Sequence, residues 1–156
     1  MLFRSLRIAR GDVDPAISSL TAMLRRHPNS DRLYLYLGDA YRSKRRWDEA
    51  LSVYRAFSER FPTNAQGPYL SGVVLREQNK RADAKASFER AVALSPSYVP
   101  AVMELVDADV FAKDFNAAHK RVDGQLEKFP KTAALGVLQG RDRKSTRLNS
   151  SHTVIS

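Results

Sequence analysis

The chain has 156 residues, enough for one compact domain or a short array of repeats. It is 43% hydrophobic and 28% charged, which is the balance of an ordinary folded protein, and its net charge of +9 favours an acidic partner or a nucleic acid. The absence of cysteine from the sequence excludes disulfides, thiolate catalysis and zinc–sulfur sites.

The sequence contains no membrane-spanning pattern, because no apolar run approaches the roughly 18 residues that a span requires. The first ten residues carry Arg4, Arg7 and Arg10, and they lack the apolar core of a secretory signal. These observations slightly favour a cytoplasmic location. A periplasmic location stays open if the true N-terminus is missing.

A period of 34 residues organises the sequence. Proline recurs at that interval, and alanine recurs twelve residues before each proline: Pro28, Pro62, Pro96 and Pro130; Ala16, Ala50, Ala84 and Ala118. Proline cannot continue a helix and therefore ends it, whereas a small residue lets two helices approach closely. The period predicts a stack of helix pairs.

Apolar residues at helical spacing predict the elements in chain order. In the repeat that begins at Asp31, Tyr34, Leu37, Gly38 and Tyr41 share one face of a first helix. Ala50, Tyr54 and Phe57 share one face of a second helix. The predicted helices are 2–10, 15–27, 31–44, 47–60, 65–78, 81–94, 99–112, 115–128 and 132–140.

The period divides the chain into a partial first repeat at 1–30, complete repeats at 31–64 and 65–98, a degenerate repeat at 99–132 and the start of a truncated repeat at 133–141. The repeat at 99–132 is degenerate because Val106 replaces the small residue and Asp109 replaces the tyrosine. Asn79 lies in a predicted turn, where asparagine tolerates the left-handed backbone that often ends a helix.

The pattern resembles the tetratricopeptide repeat, in which an aromatic residue, Leu-Gly and Tyr are followed by Ala, Phe and Pro. Tyr34, Leu37, Gly38 and Tyr41 carry the first half of that resemblance, and the alanine and proline series carries the second. The resemblance implies an all-α, right-handed superhelical solenoid of antiparallel helix pairs. It also implies a scaffold that binds other proteins and is not an enzyme.

Residues 142–152, DRKSTRLNSSH, resemble a translated sequencing adapter. We therefore expect 142–156 to be a disordered, artefactual tail without function. Removing it takes away three basic residues and one acidic residue, which lowers the net charge from +9 to +7. We further expect a fragment of a longer protein that can self-associate through its exposed truncated ends.

No arrangement of residues predicts catalysis, a cofactor or a metal site. The sequence has three histidines, His27, His119 and His152, and neither His27 nor His119 has an Asp, Glu or Ser at the spacing of a triad or a metal site. Asp107 and Asp109, one turn after Glu104, form an acidic cluster that we expect to be solvated or to face a groove.

The resemblance implies that repeat positions 2, 5, 9 and 12 face a concave groove. Counted from Asp31, Ala65 and Val99, these residues are Arg32, Leu35, Asp39, Arg42, Gln66, Tyr69, Val73, Arg76, Pro100, Met103, Asp107 and Val110. An apolar strip edged by charge suits a peptide or an amphipathic helix. Packing against neighbouring repeats or another copy is an equally weighted alternative. The Lys and Asn of a carboxylate clamp are absent from positions 5 and 9 of these repeats.

Two other functions stay open. An RNA-associated helical repeat is supported only by the positive charge, since the aromatic residues serve the repeat core rather than alternating with basic ones. A non-catalytic segment of a bacterial envelope or exopolysaccharide assembly protein is supported only by analogy. A protein or peptide partner is the favoured interpretation, and nucleic acid is disfavoured.

Overall fold

The computed structural model describes residues 13–130. The predicted helices at 2–10 and 132–140, and the tail at 142–156, lie outside the described residues. The chain divides into two compact units, Met1–Pro62 and Thr63–Ser156, which we call unit 1 and unit 2.

Unit 1 contains α1 (Asp14–Arg26), α2 (Asp31–Ser43) and α3 (Trp47–Arg60). Unit 2 contains α4 (Gln66–Glu77), α5 (Arg81–Leu94), α6 (Val99–Phe111) and α7 (Phe115–Lys128). Within each unit, every helix packs against the next one in sequence. The described residues contain no strand, and every helix end lies within one residue of its predicted position, so the all-α prediction is confirmed.

The turn between paired helices repeats with the 34-residue period. Arg45, Asn79 and Lys113 each adopt a left-handed backbone, with φ of 56°, 62° and 60°. The next N–H then reaches back to a carbonyl five residues earlier: Arg46 to Tyr41, Lys80 to Leu75 and Asp114 to Asp109. This bond satisfies a carbonyl at the helix end. The left-handed backbone predicted for Asn79 is confirmed.

Close approach of the paired helices depends on residues at repeat position 8. A Cβ atom added at Gly38 would lie 2.3 Å from Cε1 of Tyr54, and one added at Gly72 would lie 2.5 Å from Cε1 of Phe88. Both glycines therefore leave room for an aromatic ring from the next helix.

The degenerate repeat satisfies the same constraint with a different pair of residues. Val106 is 3% exposed and belongs to one core cluster with Val122, which occupies the repeat position of Tyr54 and Phe88. Val122 is smaller than the aromatic residues at the same position of the other two repeats, so there is space for Val106 where those repeats have a glycine. The loss of the small residue in this repeat is thus compensated across the helix pair.

This complementarity predicts that the volumes at positions 72 and 88 are coupled. We expect Gly72→Val alone to lower the free energy of unfolding by about 2–3 kcal/mol, because the added atoms overlap the Phe88 ring. Phe88→Val alone leaves a cavity and costs about 2 kcal/mol or more. The double variant recreates the valine pair of α6 and α7, so it should be more stable than the sum of the two losses by at least about 1 kcal/mol.

Denaturant unfolding of the four proteins measures that coupling. Gly124→Val is the matched control, because a Cβ atom at Gly124 meets nothing within 4 Å. Additive losses in the double variant would contradict the proposed packing rule.

Candidate functional site

In unit 1, the candidate residue Asp39 has a structural role. The buried Tyr54 hydroxyl donates to Oδ1 of Asp39 at 3.0 Å, and Nε of Arg42 donates to the same oxygen at 3.3 Å. Asp39 itself is exposed, and its carboxylate gives the hydroxyl of the buried Tyr54 a hydrogen-bond acceptor at the edge of the core. The other candidates on α2, Arg32 and Leu35, are exposed and half-buried respectively.

The environment of Tyr54 raises the pKa of its phenol above the ordinary value of 10.0. Burial is the largest cause, and the negative charge of Asp39 and the hydrogen bond to it act in the same direction. The phenol therefore binds its proton more tightly in the folded chain than in the unfolded chain.

We expect the contribution of Tyr54 to stability to be complete below pH 10 and to be lost as the pH rises towards the raised pKa. Above pH 10 the unfolded phenol ionises while the folded one does not, so unfolding becomes easier. Tyr54→Phe should reduce this loss of stability between pH 9 and pH 11, as measured by thermal melts. Tyr36→Phe, at an exposed ring, is the control, and an unchanged pH dependence in Tyr54→Phe would contradict the assignment.

In unit 2, much of the predicted apolar strip belongs to the core. Val73 is only 7% exposed and lies in a cluster with Phe88 and Leu105. The Tyr69 ring is half-buried, with its centroid 5.4 Å from that of Tyr98 in an edge-on arrangement and 5.9 Å from that of Phe88. These contacts explain why repeat position 9 is apolar in this repeat, where the facing ring is a phenylalanine without a hydroxyl.

The remaining candidates of unit 2 differ in accessibility. Met103 and Val110 are half-buried and pack against the Val106 cluster, whereas Pro100 is exposed. Gln66 is half-buried at the start of α4, where its backbone N–H donates to Oδ1 of Asn64 at 2.9 Å. Neither Met103 nor Val110 presents a fully open apolar surface.

A hollow of about 440 Å³ lies between α4, α5 and α6, and we call it the α4–α6 hollow. Two predicted groove residues, Arg76 and Asp107, line it. Its other lining residues are Arg81, Ala82, Ala84, Lys85, Phe88, Glu104, Ala108, Phe111 and Ala112. The structure therefore brings one candidate from each of two neighbouring repeats to a single concave surface.

Sequence reasoning missed several residues of this hollow. Phe111 follows Asp107 by four residues, which is about one helical turn, and lies on the same face of α6. Adding repeat position 13 to the predicted groove positions would therefore have included it. Arg81 and Lys85 come from a second helix, which the predicted groove did not include. Glu104 pairs with Arg76 across α4 and α6 and was assigned only to an acidic cluster.

The expectation that Asp109 is solvated is wrong. Asp109 is 1% exposed, and its carboxylate accepts from Nζ of Lys85 on α5 at 2.8 Å and from Nε of Arg121 on α7 at 3.0 Å. The two cations compensate the buried charge, and Asp109 thereby connects three consecutive helices. Glu104 is half-buried in its ion pair, and only Asp107 of the cluster is exposed.

The two aspartates of α6 therefore respond differently to the same change. We expect Asp109→Asn to lower the free energy of unfolding by about 2–3 kcal/mol, because Lys85 and Arg121 lose their shared anionic partner. Asp107→Asn, two residues earlier and exposed, should change it by less than about 0.5 kcal/mol. Urea denaturation of both variants tests this difference, and equal effects would contradict it.

A second hollow of about 660 Å³ lies in unit 1, beside α1 and α2. The candidate Arg32 lines it together with Met23, His27, Ser30, Leu33 and Tyr36. Met23 and Tyr36 are exposed apolar side chains. Arg32 thus faces a surface of mixed apolar and basic character.

Part of the positive charge, which is the support for a nucleic-acid partner, is paired within the fold. Lys44 and Arg46 lie 3.5 Å and 3.8 Å from the carboxylate of Asp14, and Arg46 also pairs with Glu49 at 2.7 Å. The hydrogen bond with Arg46 is the main reason that the pKa of the Glu49 carboxyl is lowered. These contacts reduce the charge available to a polyanion.

Residues 13–130 contain no group of three His, Cys, Asp or Glu side chains that could hold a metal ion. Among these residues, no helix has the length and hydropathy needed to cross a bilayer.

Comparison with known proteins identifies the family. The tetratricopeptide repeat matches residues 5–65 and again residues 75–140, which together make up most of the chain. The chain belongs to the tetratricopeptide-repeat family. No curated protein matches it.

Solved structures share the fold at low sequence identity. A thermophilic TPR protein of Thermus thermophilus has a TM-score of 0.67 and 23% identity, over 86% of this chain and 73% of that one. The TPR2B domain of yeast Sti1, in complex with pHsp70, has a TM-score of 0.62 and 18% identity, over 76% and 97%. The first TPR of Spaghetti (RPAP3), bound to an HSP90 peptide, has a TM-score of 0.62 and 22% identity, over 77% and 95%.

Proposed function

We propose that the chain is a non-catalytic protein-interaction scaffold that binds a peptide or a helix. Its repeats in this proposal are 31–64, 65–98 and the degenerate 99–132. The observation that supports binding best is the α4–α6 hollow, to which Arg76 and Asp107 contribute from two neighbouring repeats.

The chemistry of the hollow suits a peptide side chain. Ala84, Ala108 and Phe88 supply an apolar floor, and charged residues stand at its edge. A concave apolar surface with a few polar groups is the usual form of a ligand site, and the volume of about 440 Å³ lies within the usual range of such sites. Binding by anchor residues in an apolar depression is a common mode of peptide recognition.

The family and the structural neighbours support the same kind of partner. The Sti1 domain is in complex with pHsp70, and the Spaghetti domain is bound to an HSP90 peptide. We carry over only the kind of partner, a protein segment, because the identities are low and this chain lacks the Lys and Asn of a carboxylate clamp at positions 5 and 9 of its repeats.

Filling the hollow tests this proposal. We expect a library of random 12-residue peptides displayed on phage to be enriched by the full chain, and Ala108→Trp to abolish binding of the enriched peptides by occupying the hollow. Ala93→Trp, at an exposed position of α5, is the matched control and should bind normally. Far-UV circular dichroism checks the fold, and Ala82→Trp replaces Ala108→Trp if the latter fails to fold.

The outcomes distinguish the scaffold from the RNA-associated alternative. Failure to enrich any peptide, or unchanged binding in both tryptophan variants of the hollow, would refute the scaffold proposal. Binding of generic single-stranded RNA that weakens steeply with added salt would favour the RNA-associated function instead.

A further inference from the structure

An exposed aromatic ring marks one edge of the α4–α6 hollow. Phe111, the last residue of α6, is 64% exposed. The guanidinium carbon of Arg81, the first residue of α5, lies 3.8 Å from the centre of the Phe111 ring. This stacking covers one ring face by a cation–π contact and leaves much of the side chain accessible.

The guanidinium of Arg81 is also held from a second direction. Its Nε donates to Oδ1 of Asn79 at 3.1 Å, and Asn79 lies in the left-handed turn between α4 and α5. Ring and amide together orient the group before any ligand arrives. Pre-organisation of this kind reduces the entropy lost on binding.

Arg81 differs from the other two cations of the hollow in its pairing. Arg76 forms an ion pair with Glu104, and Lys85 forms one with Asp109 at 2.8 Å. Within residues 13–130, no carboxylate forms an ion pair with Arg81, so its terminal amino groups remain available. A planar guanidinium in this state matches the two oxygens of a carboxylate.

We propose that Arg81 and Phe111 form a docking platform for a peptide that carries a carboxylate next to a bulky apolar residue. The proposal rests on the scaffold function. In this arrangement the carboxylate of the peptide pairs with Arg81. Its apolar side chain lies beside the Phe111 ring and enters the hollow, where it contacts Ala84, Phe88 and Ala108. The net charge of +9 adds a general attraction for acidic segments.

Asp107 gives the platform a direction. It lines the same hollow one turn before Phe111, so it repels a second carboxylate on that side. The bound segment therefore places its acidic residue at Arg81 and a neutral or basic residue near Asp107. A uniformly acidic peptide fits this arrangement less well than one with a single carboxylate beside its apolar anchor.

The test starts from the peptides that the full chain enriches from the 12-residue phage library. We expect Asp or Glu adjacent to Leu, Ile, Met or Phe to be over-represented among them. For a synthetic copy of an enriched peptide, we expect Glu→Gln in the peptide and Arg81→Gln in the protein each to raise Kd at least tenfold by calorimetry. The two changes together should cost little more than either alone, because both remove the same contact.

Three further variants make the result specific. Arg81→Lys keeps the charge but loses the planar guanidinium with its paired N–H donors. The Kd of this variant for the peptide should therefore lie between those of the parent chain and Arg81→Gln. Phe111→Ala should weaken binding because it removes both the ring and the support of the guanidinium. Arg90→Gln makes the same charge change at an exposed position of α5 outside the hollow and should leave Kd unchanged.

The outcomes separate this inference from the scaffold proposal. Peptides that are blocked by Ala108→Trp but bind equally well to Arg81→Gln would overturn the docking platform and leave the scaffold intact. Enrichment of peptides without acidic residues would also overturn the platform. If the chain enriches no peptide, both proposals fail.

Discussion

The close approach of each first helix to the second helix of its pair restricts which residues the two helices can carry where they touch. At Gly38 and Gly72 the approach is so close that a methyl group would overlap a tyrosine or phenylalanine ring. At Val106 the same space is shared by two valines. In each pair a larger residue on one helix faces a smaller one, or two residues of middle size face each other, and both arrangements fill the space between the helices, as dense packing requires.

This packing decides what repeat position 9 can do. Opposite Tyr54, position 9 must supply a hydrogen-bond acceptor, and Asp39 does so. Opposite Phe88, the same position is filled by the buried Val73, because the ring offers no polar atom. In the degenerate repeat the facing residue is Val122, and Asp107 at position 9 is exposed in the hollow. A position that looks functional in three repeats is therefore structural in two of them.

The degenerate repeat contributes both to the buried ion pairs of unit 2 and to the lining of the α4–α6 hollow. Asp109 replaces the usual tyrosine and connects α5, α6 and α7 through Lys85 and Arg121. Lys85 is thereby engaged, and Arg76 is engaged by Glu104, so that Arg81 beside Phe111 is left as the cation suited to an external carboxylate. The buried ion network around Asp109 and the proposed docking platform thus share α5 and α6 but use different residues of them.

Within residues 13–130, the pattern of residues along the chain is enough to predict the helices and their boundaries to within one residue, and it also predicts the left-handed turn at Asn79 and the family. All of these depend on local spacing that repeats every 34 residues. The tertiary structure was needed to show that Val73 and Asp109 are buried, because burial depends on which ring or cation the neighbouring helix presents. It was also needed to show that Arg81 and Phe111, thirty residues apart, stack on one another, since no local pattern records a contact between side chains of different helices.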